Sequence, residues 1–363
     1  MTSHRILFSN GVVSSSSDIP PVSALLQDHP GAYTTTRTHN NGSCLIFWER
    51  HLRRLANSAR ILCNSSPHLM FKSTQERASL LKPTLSLSPS MWELMIKSLV
   101  NDSMNEVLPT ALKERRDGEE LAVTVLVSGD IGKLSGIVDV GSENIWRSFN
   151  VYVHFSGYVP SVFGVRGNGA RLAVVGRGRN VAEAKYSDWV RLRKPLEKLR
   201  PPSVTELLLS NDGDQLLEGS ITNFFVVCHK DNSEAEEKCM QTYKSSHTFE
   251  VQTAPVRDGV LPGIIRQLVI EVCLSKEIQV REVAPSWSQH ELWEEAFITN
   301  SLRVLQHVES IQVPRTWELQ ESESWKDIAW KAKLFEEGPG MITKIIQKEI
   351  MERAGLESYT LNS

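Results

Sequence analysis

The 363-residue sequence is poor in several features that would narrow its class. Its five cysteines, Cys44, Cys63, Cys228, Cys239 and Cys273, are odd in number and scattered. There is no Cys-x-x-Cys pair and no matching histidine spacing, so neither a disulfide framework nor a zinc site is expected, and no metal is called for. No apolar run approaches the roughly 18 residues of a membrane span. The first residues lack the apolar core of a secretory signal. A serine run at 14–17 and the absence of acids before Asp18 resemble an import peptide only faintly, with one arginine in the stretch. A soluble, reducing location, the cytoplasm, is therefore expected. Charge of one sign is also lacking: 40 Lys and Arg face 43 Asp and Glu, and no basic footprint for nucleic acid results. What is present is the balance of a soluble globular chain, 40% hydrophobic and 23% charged, at a length that favours two domains.

The pattern along the chain is mixed α+β. Residues 5–13 read as two strands around an Asn10-Gly11 hairpin turn. A second pair follows at about 31–38 and 44–48. From Glu49 onward, Leu52, Leu55, Ala59 and Leu62 recur at spacings of three and four, the signature of one helix face. Helices are expected at 75–82 and 89–100, and strands at 121–128 and 149–156. The glycine-rich stretch between about 157 and 170 lacks either period and suits an interdomain loop. The expected division is thus a small N-terminal domain over 1–157, a linker over 158–170, and a larger C-terminal domain over 171–363. Within the last, a strand at 172–176 precedes a helix at 187–199, which must stop before Pro201-Pro202. Strands follow at 204–210, 215–218 and 222–228, then a polar loop at 230–247. A buried helix is expected at 262–275, a solvated helical insertion at 315–337, and a terminal helix at 340–353.

Four features carry chemistry only when taken together. Lys185 precedes the helix at 187–199, where a lysine is most often exposed. Glu218 ends an apolar strand among Leu216, Leu217, Phe224 and Phe225. If that setting buries it, the carboxylate needs a cationic or protonated partner, which a protonated pyridine nitrogen would supply; otherwise it is a hairpin-end residue facing water. Asp258-Gly-Val-Leu-Pro-Gly-Ile-Ile-Arg266 leads a glycine turn into a helix whose first amides lack intrahelical partners. Such an end can cradle phosphate, though it also fits an ordinary Pro-started core helix. Phe297-Ile-Thr-Asn-Ser-Leu-Arg303 ends a strand in small polar residues.

The segments Glu218-Gly-Ser-Ile-Thr-Asn-Phe-Phe225, Gly259-Val-Leu-Pro-Gly-Ile-Ile-Arg266 and Thr299-Asn-Ser-Leu-Arg303 resemble the class IV aminotransferases, the fold-type IV enzymes dependent on pyridoxal 5′-phosphate (PLP). The branches in question are the branched-chain and D-amino acid aminotransferases and aminodeoxychorismate lyase. Phe47-Trp-Glu-Arg-His-Leu-Arg-Arg-Leu55 is similar to the family's His-Leu-x-Arg-Leu helix. The resemblance spans roughly residues 5–313.

It implies an α+β fold-type IV architecture with Lys185 as the Schiff-base lysine, 33 residues before Glu218. Glu218 would support the cofactor ring, with Asn223 beside it in the same motif. Arg54, Gly263, Ile264, Ile265, Asn300 and Ser301 would hold the phosphate, and Tyr33, Thr35 and Arg37 would face the substrate. The implied reaction is amino transfer between an amino acid and a 2-oxo acid, in a homodimer. A PLP lyase and a non-catalytic scaffold of the same fold are the alternatives. Three positions depart from the branched-chain pattern: Ile265 replaces a threonine, Val190 a tyrosine, and His307 the proline of a Pro-Val pair.

Overall fold

The computed structural model describes residues 5–72, 87–135, 146–229, 249–317, 324–336 and 338–361. The helix expected at 75–82 and the polar loop at 230–247 lie outside the described residues. In chain order the elements are β1 (Arg5–Ser9), β2 (Val12–Ser16), α1 (Val22–Asp28), β3 (Ala32–His39), β4 (Cys44–Leu45), α2 (Trp48–Ser65), α3 (Pro89–Glu114), β5 (Glu120–Gly129), α4 (Ile131–Ser135) and β6 (Phe149–Tyr158). Then come β7 (Ala170–Val174), α5 (Trp189–Leu192), α6 (Lys194–Glu197), β8 (Glu206–Ser210), β9 (Leu216–Gly219), β10 (Asn223–His229) and β11 (Phe249–Thr253). Last are α7 (Ile264–Ser275), β12 (Gln279–Glu282), β13 (Trp293–Asn300), β14 (Val304–Pro314), β15 (Trp330–Leu334), α8 (Met341–Leu356) and β16 (Tyr359–Thr360).

The chain forms two compact units. It crosses from the first to the second after Pro160, inside the stretch read as a linker, and returns twice: Glu183–Leu192 and Ala354–Ser363 belong to the first unit. Lys185 is therefore a first-unit residue and Glu218 a second-unit one.

In the first unit an antiparallel sheet runs β16-β4-β3-β5-β6-β1-β2. The β1–β2 turn places Asn10 at φ 49° and Gly11 at φ 87°, the left-handed pair that a two-residue hairpin needs. On β3, Thr34, Thr36 and Thr38 point to one face and Tyr33, Thr35 and Arg37 to the other, by strand alternation. α2 packs on β3 and against α3, burying Leu52, Leu55, Ala59 and Leu62, the stripe the periodicity predicts. α3 runs well beyond the expected 89–100. Its Pro109 lies inside the helix, so the usual helix-breaking signal does not end it there.

In the second unit the strand order is β12-β11-β10-β13-β14-β7-β8-β9, and β9 also pairs with β10. Six of these strands, β9, β10, β13, β14, β7 and β8, thereby close into a ring. Alternate residues fill it, including Leu172, Leu208, Leu216, Phe224, Val226, Ile298 and Ile311.

Two expectations are corrected here. The helix read over 187–199 is two single turns, α5 and α6, broken at Arg193. Pro195 has no amide hydrogen to continue a helical ladder across the break. The stretch read as a helical insertion at 315–337 holds β15 among its described residues. β14 outruns β13, and its far end from Ser310 to Pro314 takes β15 as an antiparallel partner. The lysines of Trp330-Lys-Ala-Lys-Leu334 alternate with apolar residues at the period of a strand.

Candidate active site

The first unit gathers one group of candidates around the segment that carries Lys185. That segment is laid against the start of β3: Tyr33 donates its amide to Lys185 O at 3.0 Å, and Ser187 donates to Gly31 O at 2.9 Å. The Lys185 amide itself donates to Ser58 Oγ at 3.1 Å. The backbone of Lys185 is therefore held on both sides, and its Nζ rests 4.6 Å from the ring centroid of Tyr33. Arg54 approaches from α2, where Nη2 donates to Thr34 Oγ1 at 2.9 Å. His51, Arg54 and Ser58 fall at helical spacings of three and four, which turns them to one side of α2.

The Tyr33 face of the sheet continues across the neighbouring strands. Tyr33 pairs with Leu126 and Leu126 with Tyr152; Thr35 pairs with Thr124 and Thr124 with His154. The hydroxyls of Thr35 and Thr124 are 3.0 Å apart. Val190, in place of the family's tyrosine, packs with Tyr33, Leu126 and Tyr152 in one apolar cluster. Arg37 is buried, with Nη1 donating to Thr38 O at 3.1 Å. Desolvation lowers its pKa, offset in part by Tyr158 and Glu120.

The second unit assembles the other group. Between β8 and β9, Leu208 pairs with Gly219 and Ser210 with Leu216, so Leu217 and Glu218 together stand opposite Leu209. This is a β-bulge, which re-aims a side chain by adding one residue to a strand. Leu216 fills the ring, while Leu217 packs outside it with Ala254, Val260 and Ala284. Glu218 joins Asn223, its partner on β10, on the outer side.

The Glu218 carboxylate is 2% exposed as a residue. It accepts from Arg179 Nε at 2.8 Å, from Leu261 N at 2.9 Å and from Asn223 Nδ2 at 3.3 Å. Arg179 also donates to Ala182 O. Arg179 is thus a cationic partner that the sequence reading did not find. Its only signal was indirect: a buried carboxylate calls for a cation.

Asn223 donates as well to Leu261 O at 2.9 Å, clamping the approach to α7. Gly263, the residue before that helix, fits closely: a Cβ there would lie 2.0 Å from Asn223 Oδ1. The amides of Ile264 and Ile265 open α7, and the isoleucine side chains are buried. One strand over, Thr299 pairs with Asn223. Its Oγ1 is buried with no hydrogen-bond partner among the described residues, as is Thr222 Oγ1. The side chain of Asn300 caps its own turn, Oδ1 accepting from Leu302 N and Arg303 N at 3.1 and 2.9 Å. Ser301 is buried beside it.

A glycine with no room for a side chain, a helix start and an unmet buried hydroxyl suit an anionic group, and the residues present fit a phosphate. Among the described residues no cluster of metal ligands is found, and no helix is long and apolar enough to cross a membrane.

A branched-chain amino acid aminotransferase structure from Escherichia coli is 18% identical, with 94% of this chain and 92% of that one covered at a TM-score of 0.56. The branched-chain aminotransferase of Thermoproteus uzoniensis with norvaline is 16% identical, with coverage of 97% and 95% and a TM-score of 0.56. An aminotransferase from Brucella abortus bound to PLP is 15% identical, with coverage of 97% and 99% and a TM-score of 0.55. These likenesses establish the fold. No curated protein sequence matches. The family described as amino-transferase class IV matches residues 31–311. By that match over most of its length, the chain belongs to the class IV aminotransferases, enzymes that depend on pyridoxal 5′-phosphate.

Proposed function

We propose that this enzyme is a transaminase moving an amino group between an amino acid and a 2-oxo acid, with Lys185 as its catalytic amine. The observation that carries the reading is the fixing of Lys185 on both backbone sides, by Ser58 and Tyr33, with its Nζ against an aromatic ring. PLP, when bound, supplies the electron sink that makes the substrate's α-hydrogen acidic. The protein's own groups do the rest.

Lys185 would hold the cofactor covalently, and its amine, once freed, would move the proton at the substrate α-carbon. Arg54 would bind the phosphate through its guanidinium, and the amides that open α7, left approachable by Gly263, offer donors of the kind a phosphate takes. Ser301 and the turn shaped by Asn300 would add to the phosphate-binding groups of the second unit. Glu218 would accept from the ring N–H, and Arg179 donates to the same buried carboxylate. Asn223 fixes both Glu218 and Leu261. Tyr33, Thr35 and Arg37 form the substrate-facing side of β3, with Arg37 as the group for a carboxylate. Assembly as a homodimer in the cytoplasm is part of the same reading.

The test is spectroscopic. Purified protein with PLP should show the visible band of the lysine-bound cofactor, and Lys185→Ala should lack it. Adding an amino acid should convert the band to the pyridoxamine form, and a 2-oxo acid should restore it. A lyase would not complete that cycle. An unchanged spectrum in Lys185→Ala would remove the assignment.

A further inference from the structure

One fully buried titratable side chain has no role in the reaction described above. His51 has no exposed surface and lies one turn before Arg54 on α2. Its Nδ1 is 2.7 Å from Thr34 Oγ1, the same oxygen that receives Arg54 Nη2 at 2.9 Å. Among the described residues Nε2 has no hydrogen-bond partner.

A hydroxyl carries one proton and can accept others. Here Thr34 accepts from Arg54, which has only donors to offer. Its own proton finds an acceptor in Nδ1, which places the imidazole proton on Nε2. That order, Arg54 to Thr34 to His51, gives each of the three contacting groups a complementary partner. It requires a neutral ring. Burial first, then the cations of Arg54 and Lys185, hold His51 well below the ordinary histidine value of 6.5. The other threonines on this face of β3 are engaged elsewhere: Thr36 donates to Ile46 O and Thr38 to Glu120. Thr34 alone of the three joins the arginine to the histidine. A leucine or phenylalanine at 51 would fill apolar space without leaving a buried polar atom unmet.

We propose that His51 and Thr34 are positioning residues that orient the Arg54 guanidinium for the cofactor phosphate. The inference rests on the reading of Arg54 as a phosphate ligand. The hydroxyl is steered by the imidazole and fixes Nη2 in turn, so the arginine meets the anion with part of its rotamer freedom already lost.

The experiment compares PLP with pyridoxal, which lacks the phosphate. Dissociation constants for both are measured on the full-length protein freed of cofactor, for the wild type and for Arg54→Gln, Thr34→Val, Thr34→Ser, His51→Phe and the Thr34→Val/His51→Phe double variant. Thr34→Val and His51→Phe should each weaken PLP about tenfold, the scale of one charge-assisted hydrogen bond. Pyridoxal binding should change less than about twofold. Thr34→Ser, which keeps the hydroxyl, should stay near wild type. The double variant should be no worse than the weaker single one, because both changes break one relay.

Equal loss for the two ligands would show a merely structural role and overturn the proposal. So would an unchanged PLP constant in Thr34→Val, a variant that keeps the shape of the side chain if His51→Phe fails to fold. If Arg54→Gln leaves the ratio of the two constants unaltered, the phosphate reading of Arg54 falls and the relay with it. If Arg54→Gln collapses the ratio while Thr34→Val and His51→Phe do not, the relay falls alone.

Discussion

Arg179 and Glu218 meet at 2.8 Å with their side chains 5% and 3% exposed. The pair is separated by 39 positions in the chain. Removing one partner leaves the other as an uncompensated buried charge, which typically costs about 3–5 kcal/mol. Arg179→Met and Glu218→Leu should each lower the urea midpoint accordingly. The double variant should recover much of the loss, because both charges then disappear. Additive losses in the double variant would show that the two do not act as a pair.

Gly263→Ala should cost more than its small volume suggests. The added Cβ would meet Asn223 Oδ1, and Asn223 cannot swing away without releasing Leu261 O and Glu218. Overpacking of a well-filled site usually costs about 1–3 kcal/mol. PLP affinity should fall as well, and pairing the change with Asn223→Ala should restore part of the stability. Titration of the cofactor and urea unfolding of the single and double variants check both.

Ser58→Ala removes the hydroxyl that accepts from Lys185 N, the backbone amide of the residue proposed as the catalytic amine. A buried donor left unmet costs about 1–3 kcal/mol. Amide exchange at Lys185 should accelerate, while strands of the second unit such as β13 keep their protection. Mass-resolved hydrogen exchange gives the answer directly.

Acid should destabilise the fold from just below neutral pH. His51 and His154 are held below 6.5, chiefly by burial. Above 6.5 such a ring is neutral both folded and unfolded, and contributes no pH dependence. Below it the unfolded chain takes up a proton that the folded chain refuses, so stability falls as pH drops toward the folded value. Each such histidine adds up to about 1.4 kcal/mol per pH unit within its window. Glu206, pushed up by burial, acts in the opposite direction between its ordinary 4.5 and its raised value. Urea unfolding at pH 7.5 and 5.5 should show the fall, and His51→Phe should flatten it.

Much of this arrangement was legible in the sequence because its signals are local. The Asn10-Gly11 turn, the α2 stripe and the strands at 120–129 and 149–158 carry periods that a short window reveals. Glu218 and Lys185 were legible as motifs at an interval. Arg179 was not, since it sits in a glycine-rich stretch without periodicity and finds its carboxylate far along the chain. The Thr34–His51 contact joins a strand to a helix 17 positions away, and nothing in either segment announces it. β15 was misread because lysine and tryptophan in a charged stretch look like a solvated helix until the unpaired end of β14 is in view.

The bulge at Leu217 and Glu218 makes chain length a chemical variable. A regular strand sets one outer residue between two inner ones, and the extra residue between Leu216 and Gly219 sets two there, Leu217 and Glu218, both opposite Leu209. Deleting Leu217 would leave Glu218 on the outer side but without the apolar neighbour that packs on Ala254, Val260 and Ala284. Natural relatives and engineered variants can be sorted on that spacing alone: those that keep it can set an acid and an apolar residue side by side on the outer surface, and those that lose it have room for one of the two.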